Sequence, residues 1–357
     1  VKLQSFWHQL TAPAIGLAPM DGITDYPFRS ITKKYGRPSV MFTEFTSVEG
    51  LGHGAKVLLD DFQFDELQRP IVAQIYGTTP LFFYQTALLL CALGFDGIDI
   101  NMGCPAKSVQ LGGAGAALIK TPELAKTIIR SVKRAVADWQ QGFDLFANKE
   151  IDPEILLEVQ NRHLQLPTTY QSRARFIPVS IKTRVGYETP VINDWIPTLL
   201  EEAPDLITIH GRTLRQGYAN KANWELIAQA ADLIHQTDTL VFGNGDVDSY
   251  QSAQEHQKLY QVDGVLIGRA SFGDPFVFLP PTDESEKPSL AQIALEHAKL
   301  YENTYQHHPK YYFAPMRKHL GWYMRGFANA KQVRIELFQS KSPAEVESIL
   351  RSFNLIE

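Results

Sequence analysis

Eight short apolar runs, most of them rich in β-branched residues, recur along the chain, and their spacing constrains the fold more than any other feature. They are AIGLA (14–18), SVMFTEF (39–45), IVAQIY (71–76), GIDIN (97–101), IPVSIKTR (177–184), LITIHG (206–211), LVFGNG (240–245) and GVLIG (264–268). Helix-like stretches such as 81–93 and 122–136 lie between them. Strands alternating with helices imply right-handed βαβ units and a parallel sheet. Eight such units predict a closed (β/α)8 TIM barrel over residues 1–279 rather than an open sheet. The proline- and charge-rich segment 280–288 reads as a linker. From Ser289, a candidate N-cap, to Glu357 only helical periodicity remains, which predicts a small all-helical C-terminal domain. One connection breaks the pattern. Residues 138–176 far exceed the usual two to six of an αβ loop. There Asp152 and Pro153 have the chemistry of an N-cap and a first helical residue, so an extra helix is expected over 151–164, on the barrel's bottom face.

The balance of residues, 44% hydrophobic and 20% charged over 357 positions, is that of an ordinary globular protein. No apolar run reaches the ~18 residues of a membrane span, and VKLQSFWHQL lacks the apolar core of a signal peptide. Two cysteines in unlike settings make no disulfide framework, so a reducing, cytoplasmic compartment is expected. A monomer without membrane attachment is expected as well. No Walker P-loop, H-E-x-x-H or C-x-x-C occurs, and no metal is expected. The glycines of LGGAGAAL (111–118) begin some ten residues past their strand, too late for a dinucleotide turn.

Active sites of such barrels lie where strands end. Here those ends carry Met20, Glu44, Gln74, Asn101, Lys182, His210, Asn244 with Asp246, and Arg269. The loops after the seventh and eighth strands, GNGDV (243–247) and GRASFGDP (268–275), have the glycines that let backbone N–H groups grip a phosphate, with Arg269 adding charge. A phosphate anchor next to Lys182 and His210 suggests flavin mononucleotide, with Lys182 near the ring edge that becomes negative on reduction and Gln74 hydrogen-bonding the ring.

The two cysteines need separate explanations. Cys91 lies inside the apolar run ALLLCALGF and reads as inert core. Cys104 stands in GIDINMGCPAK, where Gly103 and Pro105 end the strand and form a turn that exposes the thiol next to Asn101. An ordinary thiol is roughly 97% protonated at neutral pH and can donate a proton. A nucleophilic role would need a base, for which Lys107 is the nearest residue in sequence.

Taken together, LAPMDGITDYPFR (17–29), INMGCPAK (100–107), IKTRVGY (181–187), IHGRTLRQGY (209–218), GNGDV, IGRASFGDP and RKHLGWYMRGF (317–327) resemble the tRNA-dihydrouridine synthases in order along the chain. The resemblance implies an FMN-containing barrel with a helical tail that reduces uridine in tRNA, using NADPH. It implies that Cys104 gives a proton to C5 of uracil while the hydride passes from flavin N5 to C6. Ala18, Pro19, Met20, Gln74, Lys182, His210, Asn244, Gly245, Asp246, Gly268 and Arg269 match the FMN site. Asn101, Lys107, Arg184 and Arg212 fall in matching segments on the substrate side.

A tRNA partner demands a basic surface in spite of the net charge of −5. Residues 310–334 supply Lys310, Arg317, Lys318, Arg325, Lys331 and Arg334 without one Asp or Glu. A helix over 316–327 would set Arg317, Lys318 and Arg325 on one side, facing RNA, and Leu320, Tyr323, Met324 and Phe327 on the other. Two other functions fit parts of this pattern: a flavoenzyme acting on a free pyrimidine, in the manner of dihydroorotate dehydrogenase, and an RNA-binding relative without chemistry. The basic tail speaks against the first, and the intact Asn101, Cys104 and Lys182 against the second.

Overall fold

A computed structural model of the chain describes residues 5–217, 219–283, 285–309 and 311–357. Lys310 of the basic run and Tyr218 of the sixth-strand motif lie outside them. Strands β1 (Ala14–Leu17), β2 (Met41–Ser47), β3 (Ile71–Tyr76), β4 (Gly97–Met102), β5 (Val179–Gly186), β6 (Leu206–Thr213), β7 (Leu240–Asn244) and β8 (Gly264–Ile267) pair in parallel in chain order. The barrel closes where β1 meets β8, from Ala14 opposite Gly264 to Leu17 opposite Ile267. These strands are covered on both faces, by barrel interior and by helices, which is why their sequences are apolar runs instead of alternating patterns.

Register decides which strand ends become neighbours. Asn101 lies opposite Lys182, Arg184 opposite His210, and His210 opposite Asn244. Residues spread over 144 positions of sequence thus share one rim. The β2–β3 pairing instead shifts register between Phe42 and Phe45. One extra residue there reverses which side chains face inward beyond it.

The long connection does contain an extra helix, Pro153–Gln165, capped as its sequence implies, with the Asp152 carboxylate accepting from Glu154 N–H at 2.8 Å. The preceding helix runs on to Gln140. The added helix does not simply sit beneath the barrel. It lies outside the helix Pro80–Ala92 and against the β2–β3 connection, where Arg162 donates to Leu59 O at 2.8 Å. Ile155, Leu156 and Val159 are buried there in the main core with Trp139. The lower end is clamped by the Arg69 guanidinium over the Tyr170 ring at 3.2 Å and by Asp96, which pairs with both Arg69 and Arg175.

After the barrel come four helices, Leu290–Tyr305, Ala314–Tyr323, Ala330–Leu337 and Pro343–Ser352. Ser289 caps the first in a reciprocal pair with Gln292. Their core, which includes Ile293, Met316, Leu320, Val333 and Leu350, also takes in Ile31 from the barrel helix Tyr26–Gly36. The tail therefore packs directly onto the barrel. At a second contact the Trp322 ring stacks on Phe272, centroids 4.1 Å apart. Gly273 makes this approach feasible: a Cβ there would lie 2.2 Å from the Trp322 carbonyl. Among the described residues no helix is long and apolar enough to cross a membrane.

Candidate functional site

A cavity of about 920 Å³ opens at the C-terminal ends of the strands. Its wall includes Ala18, Pro19, Met20, Gln74, Asn101, Cys104, Lys182, Arg184, His210, Asn244, Gly245, Asp246, Gly268 and Arg269. Of the strand-end residues singled out in the sequence, Glu44 is the exception. The β2 register shift turns Phe45 to the cavity instead, and the Glu44 carboxylate accepts from Ile23 N–H at 3.0 Å. Phe272 and Asp21 also line the wall without having been singled out, because neither terminates a strand.

One end of the cavity gathers cations. Lys182 donates to Asn244 Oδ1 at 3.0 Å, and Asn244 donates to Leu266 O at 2.9 Å, which fixes its amide orientation. Burial, then the charge of Arg184, lowers the Lys182 pKa to about 8. His210 Nδ1 lies 3.2 Å from Arg184 Nη1, which can only donate. The neutral ring therefore carries its proton on Nε2. Burial, followed by the charges of Arg184, Lys182, Arg212 and Arg269, keeps it neutral, its pKa far below the usual value.

At the corner itself Gly245 has φ +127°, a backbone that excludes side-chain-bearing residues, and Asp246 has φ +55°. The Asp246 carboxylate accepts from Ala222 N–H, Arg212 and Arg269, the last at 2.8 Å. Burial opposes its charge, but these bonds and the two guanidiniums outweigh burial and hold its pKa below the ordinary range. Asp246 thus anchors Arg269 rather than offering an acceptor to a phosphate.

The donor set of this corner suits an anion. It consists of Lys182, His210 Nε2–H, Arg269 and the glycine turns at 245 and 268. A buried lysine whose pKa is pulled down has less negative charge around it than it needs, and a phosphate or an anionic ring edge would supply that charge. The residues present fit FMN.

Cys104 lines the same cavity from the loop after β4. Contrary to the exposure expected from its turn, it is 6% exposed, packed with Val109 and Ala114 and flanked by Phe45 and Tyr76. The turn is pinned on several sides. Gly103 O accepts from Arg184 Nε at 2.6 Å, and Cys104 O accepts from Ala116 N–H at 3.3 Å. Gly103 and Cys104 N–H both donate to Asn101 Oδ1, at 3.0 and 2.8 Å. Asn101 in turn donates to Gln74 at 2.8 Å, and Gln74 to Asp99 at 2.6 Å. Gln74 is thereby engaged in the floor as well as lining the cavity. Burial pushes the thiol pKa up, against a hydrogen bond from Ala106 N–H, so at neutral pH Cys104 is protonated.

Other expected positions fall elsewhere. Lys107 is exposed at the start of the short helix Lys107–Leu111, outside the cavity wall. Arg212 is 3% exposed and held by Asn220 O and Asp246, so it presents no surface to a polynucleotide. In the tail the helix ends at Tyr323, four residues before the expected Phe327, because Met324 leaves helical geometry and Gly326 adopts φ +81°. Arg317 donates to Ser340 O at 2.9 Å and Lys318 to Gly22 O, which ties both into the structure. Arg325 lies past the helix and is exposed, as is Phe327.

The fold and cavity define a (β/α)8 barrel protein with a ligand site at its strand ends and a helical tail beside it. The chain belongs to the dihydrouridine synthase family, whose pattern it matches over residues 16–139 and 156–356. The unmatched residues 140–155 lie in the long connection and its added helix. It is 32% identical to a probable tRNA-dihydrouridine synthase of Staphylococcus aureus (strain COL), over 98% of this chain and 96% of that protein. It is 31% identical to probable tRNA-dihydrouridine synthase 2 of Bacillus subtilis (strain 168), over 98% and 97%. A solved structure of DHODH in complex with ferulenol from Eimeria tenella has a TM-score of 0.49 at 9% identity, covering 83% of this chain and 86% of that one, too distant to bear on substrate.

Proposed function

We propose that this chain reduces uridines in tRNA to 5,6-dihydrouridine, with FMN in the cavity and NADPH as reductant. The observation that carries this reading is a buried thiol, Cys104, that lines one cavity together with a cation-rich corner. Family membership and the names of the relatives support the substrate.

FMN, when bound and reduced, supplies the hydride that adds to C6 of uracil. Lys182, His210, Arg269 and the turns at Gly245 and Gly268 would hold its phosphate and ring edge, with Ala18, Pro19, Met20 and Asn244 completing the wall. Addition at C6 leaves negative charge on C5 and O4, and an acid must quench it. Cys104 Sγ–H is that acid, delivering its proton to C5. The thiolate left behind is stabilised by Arg184 and Lys182, whose charges both favour it. Asn101 holds the turn and so the angle of delivery. Arg325, the exposed cation past the tail helix, meets RNA phosphate, while Arg317 and Lys318 keep that helix in place.

The test is direct. Purified protein is incubated with FMN, NADPH and an unmodified tRNA transcript, and dihydrouridine is measured by mass spectrometry of the digested RNA. Dihydrouridine in tRNA, and none from free uridine, is expected. Flavin-loaded protein that reduces free uridine but not tRNA would replace this reading with the small-pyrimidine one.

A further inference from the structure

The hydrogen bonds beneath the thiol turn run in one direction, and the groups at both ends impose it. Gly103 and Cys104 N–H can only donate, so Asn101 must turn Oδ1 toward them. Its Nδ2 then faces Gln74 Oε1, and Gln74 Nε2 faces Asp99 Oδ2. The other Asp99 oxygen accepts from Ser180 Oγ at 2.6 Å. Asp99 and Ser180 are fully buried beneath the cavity wall, so water offers Asp99 no substitute partner.

An amide side chain has two orientations, and an isolated Asn–Gln pair can turn over together. A carboxylate cannot take part in that reversal, because when ionised it only accepts. We propose that Asp99 is a positioning residue for Cys104: its acceptor-only side chain fixes the orientation of Gln74 and Asn101 and thereby holds the thiol turn. If both amides reversed, Asn101 Nδ2 would face the two backbone N–H groups, donor against donor, and the turn would be released from its floor. Burial raises the Asp99 pKa to about 6, against bonds from Ser180 and Gln74, so the group is ionised at neutral pH. Asp99 touches neither the thiol nor the cavity itself, only Gln74 of its wall. It acts through two intermediates.

Asp99 also faces the charge of Lys182, and a plain counter-ion role is the competing explanation. The two are separable. Asp99→Asn keeps the shape but makes both amide orientations available. Ser180→Ala removes a bond to Asp99 yet leaves its acceptor-only character. For each purified protein, the rate of Cys104 alkylation by iodoacetamide is followed by peptide mass spectrometry, which distinguishes it from the buried Cys91. Flavin content, melting temperature and dihydrouridine formation are measured alongside.

In Asp99→Asn alkylation should rise about fivefold or more as the turn loosens, and dihydrouridine formation should fall about tenfold. Flavin content should hold and the melting temperature should not fall. Ser180→Ala should stay within about twofold of the parent in both rates. A folded Asp99→Asn protein with parental alkylation overturns the proposal, and loss of flavin with an unaltered thiol assigns Asp99 to Lys182 instead. Should Asp99→Asn fail to fold, Gln74→Met cuts the same chain at its middle. It should raise alkylation likewise, and an unchanged thiol there overturns the proposal. The rate of dihydrouridine formation rests on the function proposed above. The alkylation measurement does not, so a parent protein that makes no dihydrouridine would defeat that function and leave the positioning role still decided by the thiol.

Discussion

The floor of the cavity and the seam between barrel and tail both bury polar side chains, and they handle them in opposite ways. In the floor Asp99, Gln74, Asn101 and the thiol turn form a closed set in which each group meets a partner of the right kind. In the seam His297 and His319 lie with ring centroids 5.0 Å apart, next to Phe28. His297 Nδ1 is 3.1 Å from Tyr323 OH, but His297 Nε2 and His319 Nδ1 have no hydrogen-bond partner among the described residues. A satisfied polar network specifies position, whereas unsatisfied polar groups add nothing to position and cost stability. The floor is built to aim a side chain. The seam is built to adhere, mainly through apolar contact.

Acid separates the two regions. Burial holds His297 at a pKa of about 3, below its ordinary 6.5. Between those values the unfolded chain binds a proton that the folded chain refuses, so stability falls as pH drops through that window. Asp99, raised to about 6 from 3.8, has the reverse sign: the folded form takes up its proton first, and stability from this group grows as pH falls from 6 to 3.8. Acidification thus costs stability at His297 in the seam while it relieves Asp99 in the floor.

The largest effect should come from the residue that the floor aims. Cys104→Ala should slow uridine reduction about a hundredfold or more while flavin content and its reduction by NADPH stay unchanged. Uridine reduction at the parental rate would leave the floor with nothing to position. Next, Lys182→Met should weaken FMN binding at least about tenfold, the scale of one charge-assisted bond. The flavin-free protein should lose no melting temperature, since a cation held in charged form against burial is gone. Equal FMN affinity, measured by flavin fluorescence, would break the anion-corner assignment.

The seam gives smaller effects. His297→Leu should remove an acid sensitivity of up to about 1.4 kcal/mol per pH unit below 6.5, with no effect on uridine reduction at neutral pH. Urea unfolding at pH 7 and pH 5 measures it, and an identical pH slope in both proteins would show that His297 is not the group titrating. Smallest of all, Arg325→Gln should lower the log–log salt slope of tRNA binding by about 0.9, the share of one phosphate contact. An unaltered slope would remove Arg325 from the RNA surface.

The barrel was legible because parallel strands buried on both sides need apolar runs, and the strand-end rule then pointed at most of the cavity wall. It failed at β2, where an irregularity in pairing, invisible in composition, exchanges Glu44 for Phe45. The thiol's exposure was misjudged for a related reason. Gly103 and Pro105 announce a turn, but its cover of Val109 and Ala114 depends on how the following loop folds back. The tail helix could have been ended correctly from Gly326 alone. The engagement of Arg212 could not, because Asp246 approaches it only through the register of β6 and β7.

The stacking of Trp322 on Phe272 bears on how this chain can be recombined with its relatives. Phe272 lines the cavity and also stacks on Trp322, so the tail backs part of the wall of the ligand site without entering it. A chimera cut in the linker at 280–288 would separate the two rings and set a foreign side chain against the Gly273 backbone. A join placed before Gly268 keeps Phe272, Gly273 and Trp322 from one parent. Grafting a tail to redirect which RNA is bound therefore means moving the last loop of the barrel with it.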